Sequence, residues 1–383
     1  MIYLDNAATT VVAPEVREII DKVMLEDFGN PSSLHNVGYD AEKYVKKTAQ
    51  DIASILKVDE KEILFTSGGT ESNNTALIGT AYANKRSGNR IITTSIEHPS
   101  VKAPLKFLEE QGFEVIYLPV DHDGLIKMDA LKEAMNEDTI LVSIMHVNNE
   151  IGSIQDIAAI GEFVKSINPN VVFHVDAIQS FGKLDIKPKK MNVDMMSVSG
   201  HKIHGPKGVG FLYIKKGCKV SPIIFGGGQQ LGMRSGTENV PGIAGLGVAA
   251  NLAYNDLEAR AAHMTQLKDR LIDGLMTIDG VSVNSKKGSE GAPHIVSASF
   301  TNVGSEVLLH SLEDKEIYIS AGSACSSNKP AISEVLKAID IDRDLLKSTV
   351  RFSLCNDNTE EQIDQTIEAL RSLVPILSKY VRR

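Results

Sequence analysis

Between residues 60 and 215, short apolar and β-branched runs alternate with amphipathic helical patterns, and no other feature of the chain narrows its fold as far. The runs at 63–66, 90–94, 114–118, 140–145, 171–175 and 194–198 read as strands. Helical patterns such as 101–111 and 157–167 lie between several of them. Such alternation predicts an α/β fold, a mostly parallel sheet with helices on both faces. The run 208–214 follows the last of these closely and reads as one further strand.

The flanks carry other patterns. Val16, Ile19, Ile20 and Val23 keep helical spacing behind Pro14, and Tyr44, Val45, Thr48, Ile52 and Ile55 mark a second helix. After residue 250, Met264, Leu267, Leu271 and Leu275 predict a long helix, followed by strands at 281–283 and 295–300. A last helix opens at Thr359, where Gln362 completes a capping box, and it buries Ile363, Ile367 and Leu370. This tail reads as a smaller α+β domain. A chain of 383 residues exceeds what one core usually organises, so two domains are expected.

Bulk properties exclude several roles. The net charge of −9, sparse aromatics and absence of Trp argue against direct nucleic-acid binding. No apolar run approaches the roughly 20 residues that span a bilayer, and the N-terminus carries no export pattern. Cys218, Cys325 and Cys355 lack disulfide or metal-ligand spacing, so a reducing cytoplasm and no metal are expected.

Chemistry concentrates at the ends of strands, where open parallel sheets bind ligands. In Ser199-Gly200-His201-Lys202, a strand runs into a Gly-, His- and Lys-rich loop. An amine held there attacks a carbonyl once desolvation lowers its pKa; a solvated surface loop is the plainer reading. Asp176 ends an apolar strand, where a carboxylate needs a positive partner such as a protonated pyridine nitrogen, or serves only as a helix N-cap. The turn Ser67-Gly68-Gly69-Thr70-Glu71 offers helix N-terminal amides to a phosphate, with Glu71 facing outward. His98 and Asn149 also follow strands, as site residues or as satisfied loop residues. Arg351 lies in a short apolar run and suits either a substrate carboxylate or a structural ion pair. Cys325 sits among small residues, Ser320 to Pro330, expected to form a mobile loop with an accessible thiol.

Taken in order, Tyr3-Leu4-Asp5-Asn6-Ala7-Ala8, Gly69-Thr70-Glu71-Ser72-Asn73, Asn148-Asn149-Glu150-Ile151-Gly152, His174-Val175-Asp176-Ala177, Ser199 to Gly208, Arg234-Ser235-Gly236-Thr237 and Ser323-Ala324-Cys325 resemble the cysteine desulfurases over nearly the whole chain. The resemblance implies fold-type-I pyridoxal 5'-phosphate architecture, with a large domain at 13–253 and a small one from 1–12 and 254–383. It implies a homodimer that takes sulfur from L-cysteine, leaves L-alanine and donates sulfur to an acceptor protein for iron–sulfur cluster or tRNA and cofactor thiolation. Another class V reaction, amino transfer or selenocysteine lysis, is the alternative.

By the same resemblance, Lys202 holds the cofactor aldehyde, Asp176 the pyridine nitrogen and Gln179 the ring hydroxyl, with His98 stacked on the ring. The Gly69-Thr70 turn, Ser199 and His201 hold the phosphate, joined by Thr237 of the other subunit. Asn149 and Arg351 hold the substrate carboxylate, and Cys325 accepts sulfur.

Overall fold

A computed structural model describes residues 1–321 and 332–380. Its main sheet has seven strands in the order Ile63–Thr66, Gly210–Ile214, Met195–Ser199, Val172–Asp176, Thr139–Met145, Arg90–Thr94 and Glu114–Leu118. The last five run parallel to one another, while Gly210–Ile214 is antiparallel to both of its neighbours. The reversal follows from chain length. The stretch 200–209 is too short for a helical crossover, and only an antiparallel return needs none. Lys202 lies in that short return.

Thr139–Met145 and Val172–Asp176 are buried along their whole length, as strands covered on both faces must be. On one face Phe173, Val175, Phe211 and Tyr213 pack with Ile52, Leu56 and Leu246. On the other, Ile91, Leu141 and Met195 pack with Leu77, Leu105 and Leu108.

A second core forms around a four-stranded antiparallel sheet ordered Ser320–Ala321, Thr349–Ser353, Ile295–Phe300 and Val281–Val283. Helices Leu257–Leu275 and Glu360–Leu377 contribute Leu267, Leu271, Ile363 and Leu370 to it. Ile2 and Leu4 join this core from the far end of the chain, and Ile2–Tyr3 pairs in parallel with Ile317–Tyr318.

The helix expected at 101–111 starts earlier, as Pro99–Glu110. His98 caps it by accepting the Ser100 amide N–H, and Pro99 fills the first position, where a missing N–H does no harm. The last helix has the expected capping box: Thr359 Oγ1 accepts the Gln362 amide, and Gln362 Oε1 accepts that of Thr359. Replacing Thr359 with Ala should therefore lower stability by about 1 kcal/mol, read as a lower urea midpoint at unchanged slope. An unshifted midpoint would show that the cap contributes nothing.

Candidate active site

Six strands of the main sheet end on one side of it, and residues just beyond the ends of five of them line a cavity of about 280 Å³. Gly69, Thr70 and His98 line it, as do Asn149, Asp176 and Gln179. Ser199, His201 and Lys202 complete that side, and Arg351 enters from the second sheet. Thr237 is exposed and does not line the cavity of its own chain. Cys325 lies outside the described residues.

Asp176 is buried at the end of its strand, and burial drives its carboxyl pKa upward. Its oxygens accept the Ile178 amide N–H (3.0 Å) and an N–H of Asn73 (2.8 Å), the Lys202 charge also favours the anion, and so would a proton on His98. A further cation against this carboxylate would hold it ionised, which a protonated pyridine nitrogen does. The other N–H of Asn73 goes to Ser100 Oγ (2.9 Å), which lies 2.8 Å from His98 Nδ1. Because Nδ1 accepts the Ser100 amide, a neutral His98 carries its proton on Nε2. Burial lowers the His98 pKa while Asp176 opposes the shift, so the imidazole is neutral and can take up a proton.

The opposite end of the cavity suits a phosphate. The helix Gly69–Asn84 begins there, preceded by Gly68 at φ 144°, a conformation open to glycine. A side chain at Gly69 would place its Cβ 2.1 Å from Ile178 Cδ1, so the close approach of these elements requires glycine. Glu71 does not face outward as expected. Arg234 Nε donates to it at 2.9 Å and the Ser67 amide at 2.9 Å; burial alone would raise its pKa, but these partners outweigh burial and hold it down. The ion pair turns the turn's one carboxylate away from the anion site. Burial, reinforced by Lys202 and Lys207, pushes His201 down to about 4, so its imidazole is neutral.

Lys202 Nζ donates to the carbonyls of Ala7 (2.6 Å) and Ala8 (2.7 Å), which draws the amine into the cavity from the N-terminal side. Lys183 is buried behind it and donates to the Lys202 carbonyl at 2.9 Å. Arg351 is 6% exposed and donates to the Asn149 carbonyl and to Asp5 Oδ1, both at 2.8 Å. Its Nε is buried without a partner among the described residues. The structural ion pair and the open donor thus coexist on one guanidinium. Sequence reading missed Asn73, Ser100, Arg234 and the Ala7 and Ala8 carbonyls. Asn73 and Arg234 lie inside the motifs Gly69 to Asn73 and Arg234 to Thr237, which was the available signal; the carbonyls leave none.

The donor set therefore fits a phosphorylated pyridine aldehyde: an amine for the aldehyde, a buried carboxylate suited to a protonated ring nitrogen, and a helix N-terminus for the phosphate. Residues 2–366 match the family model described as aminotransferase class-V, and the chain belongs to that family, of PLP fold type I with pyridoxal 5'-phosphate as cofactor. Among its relatives is a protein named cysteine desulfurase IscS from Methanosarcina thermophila, 44% identical, with the whole of this chain and 95% of the relative covered. A NifS/IcsS protein homolog of Lactobacillus delbrueckii is 43% identical over 99% of this chain and 98% of its own. Of solved structures, a NifS-like protein superposes with a TM-score of 0.92 at 40% identity, covering 98% of this chain and 100% of its own. One titled SspA in complex with cysteine gives 0.81 at 36% identity, covering 94% and 100%.

Proposed function

We propose that this protein is a pyridoxal-phosphate-dependent cysteine desulfurase, converting L-cysteine to L-alanine and taking the sulfur on Cys325. One observation carries the reading: the end of a parallel sheet gathers Lys202, Asp176, His98 and Arg351 around one cavity. The full-length relatives named for this activity point the same way.

When bound, the cofactor supplies an electron sink for charge developing at the substrate α-carbon. Lys202 Nζ would hold its aldehyde, and the same amine stands in the cavity to move the substrate's α-proton. Asp176 would keep the ring nitrogen charged, Gln179 would donate to the ring hydroxyl and His98 would cover the ring face. The Gly69-Thr70 amides would hold the phosphate with Ser199 and His201, joined by Thr237 of the partner subunit. Arg351 and Asn149 fix the substrate carboxylate. His98 Nε2 takes a thiol proton. The Cys325 thiolate attacks the substrate sulfur, forming an S–S bond as the C–S bond breaks, with that electron pair left on carbon.

Large exposed apolar side chains at Met24, Leu25, Phe28, Leu34, Phe225 and Leu231 support a homodimer. Separate cores support the division into 13–253 and 1–12 with 254–383. No helix among the described residues is long and apolar enough to cross a membrane. A working thiol suits a reducing compartment, and the persulfide passes to an acceptor protein for iron–sulfur assembly or thiolation.

The test is to supply L-cysteine to the holoenzyme and measure alanine and released sulfide, beside amino transfer to a keto acid. Alanine without sulfur release would end the reading. Replacing Arg351 with Ala should raise KM for L-cysteine about 10- to 100-fold, the worth of charged hydrogen bonds, with a smaller change in kcat. An unchanged KM would remove Arg351 from the substrate site.

A further inference from the structure

His294 precedes the strand Ile295–Phe300 and is fully buried, yet it belongs to none of the site segments picked out by sequence. Its Nε2 lies 3.2 Å from Gln179 Oε1, and its Nδ1 has no partner among the described residues. The protons can be assigned from their acceptors. The Ala7 carbonyl only accepts, so the Gln179 atom 3.0 Å from it is the amide nitrogen, leaving Oε1 to face His294. Oε1 also only accepts, so His294 Nε2 carries the proton and Nδ1 is the bare nitrogen. The same Ala7 carbonyl accepts Lys202 Nζ. One chain of contacts thus links His294, Gln179, Ala7 and Lys202.

We propose that His294 is a positioning residue whose Nε2–H fixes the Gln179 amide, so that an N–H rather than the carbonyl oxygen faces the cavity. Gln179 Nε2 has two hydrogens. One goes to Ala7, and the other remains for the ring hydroxyl oxygen of the cofactor. Without His294 the amide is held by the Ala7 carbonyl alone, and a flipped amide would set oxygen against oxygen. The charged groups facing His294 are Lys183, Arg351, Lys268 and Lys202, all cationic, and with burial they keep the imidazole neutral. The donor is therefore constant through the working pH range. The proposal rests on the placement of Gln179 at the ring hydroxyl given above.

The experiment is a pH titration of the visible absorption of the cofactor-loaded enzyme, without substrate. A donor to the ring oxygen stabilises its anion and so lowers the titration midpoint. His294→Leu should raise the midpoint by about 0.5 to 1 pH unit, the scale of one neutral hydrogen bond. His294→Gln keeps an N–H donor and should stay near wild type. Gln179→Leu should raise the midpoint at least as far as His294→Leu, and the double variant no further than Gln179→Leu alone. Should His294→Leu fail to fold, His294→Met removes the donor at similar volume. If Gln179→Leu shifts the midpoint and the His294 variants do not, or if the two effects add, the positioning role is wrong. If Gln179→Leu itself shifts nothing, the ring-hydroxyl placement falls and takes the proposal with it.

Discussion

Replacing Lys202 with Ala is expected to slow alanine formation from L-cysteine at least about 10²- to 10⁴-fold, the usual share of a positioned general base. The fold should survive, because the Lys202 side chain ends in the cavity and fills no core. Among the described residues no second lysine lines the cavity. Lys183 is the nearest candidate, but it is buried behind the loop and committed to the Lys202 carbonyl. Borohydride reduction of the wild-type holoenzyme, then peptide mapping, should find the cofactor mass at residue 202. A variant within a few-fold of wild-type turnover, or a label at another lysine, would end the assignment.

Replacing Cys325 with Ala should abolish the cysteine-dependent gain of one sulfur atom in the intact mass while leaving cofactor binding unchanged. The other two thiols are poor substitutes, because sulfur transfer needs a thiolate. Cys218 is pushed up to about 12 by burial, so at pH 8 roughly one molecule in 10⁴ carries the anion. Cys355 is also raised by burial, and it lines a small pocket on the far side of the Lys202 loop, outside the main cavity. Intact-protein mass spectrometry after brief exposure to L-cysteine reads the result. Persistence of the sulfur adduct on Cys325→Ala would show that another residue accepts it.

The strands were legible because their composition is local: Ile63–Thr66, Arg90–Thr94 and Glu114–Leu118 match the expected runs end for end. The positions of Lys202, Asp176 and Gly69 were legible because ligand sites of parallel sheets gather at strand ends. Contacts between distant segments were not legible. The Glu71–Arg234 pair joins residues 163 apart, and the His294–Gln179 contact residues 115 apart. The Ala7 and Ala8 carbonyls act through backbone that any residue possesses, so no pattern of side chains announces them.

Chain ends ordinarily fray, but residues 2–13 are stitched to the strand Ile317–Tyr318, to the four-stranded sheet at Ser353 and to the lysine loop. Ile2 and Leu4 bond to the segment 316–318, Asp5 holds Arg351, Ala7 and Ala8 hold Lys202, and Thr10 ties the backbone of His201 and His204. Peeling this strap away would strip the amine of two carbonyl acceptors and the guanidinium of its carboxylate in one event. The leading dozen residues are thus part of the same cooperative unit as the catalytic centre, and a protease that nicked them would disarm the enzyme without touching its core.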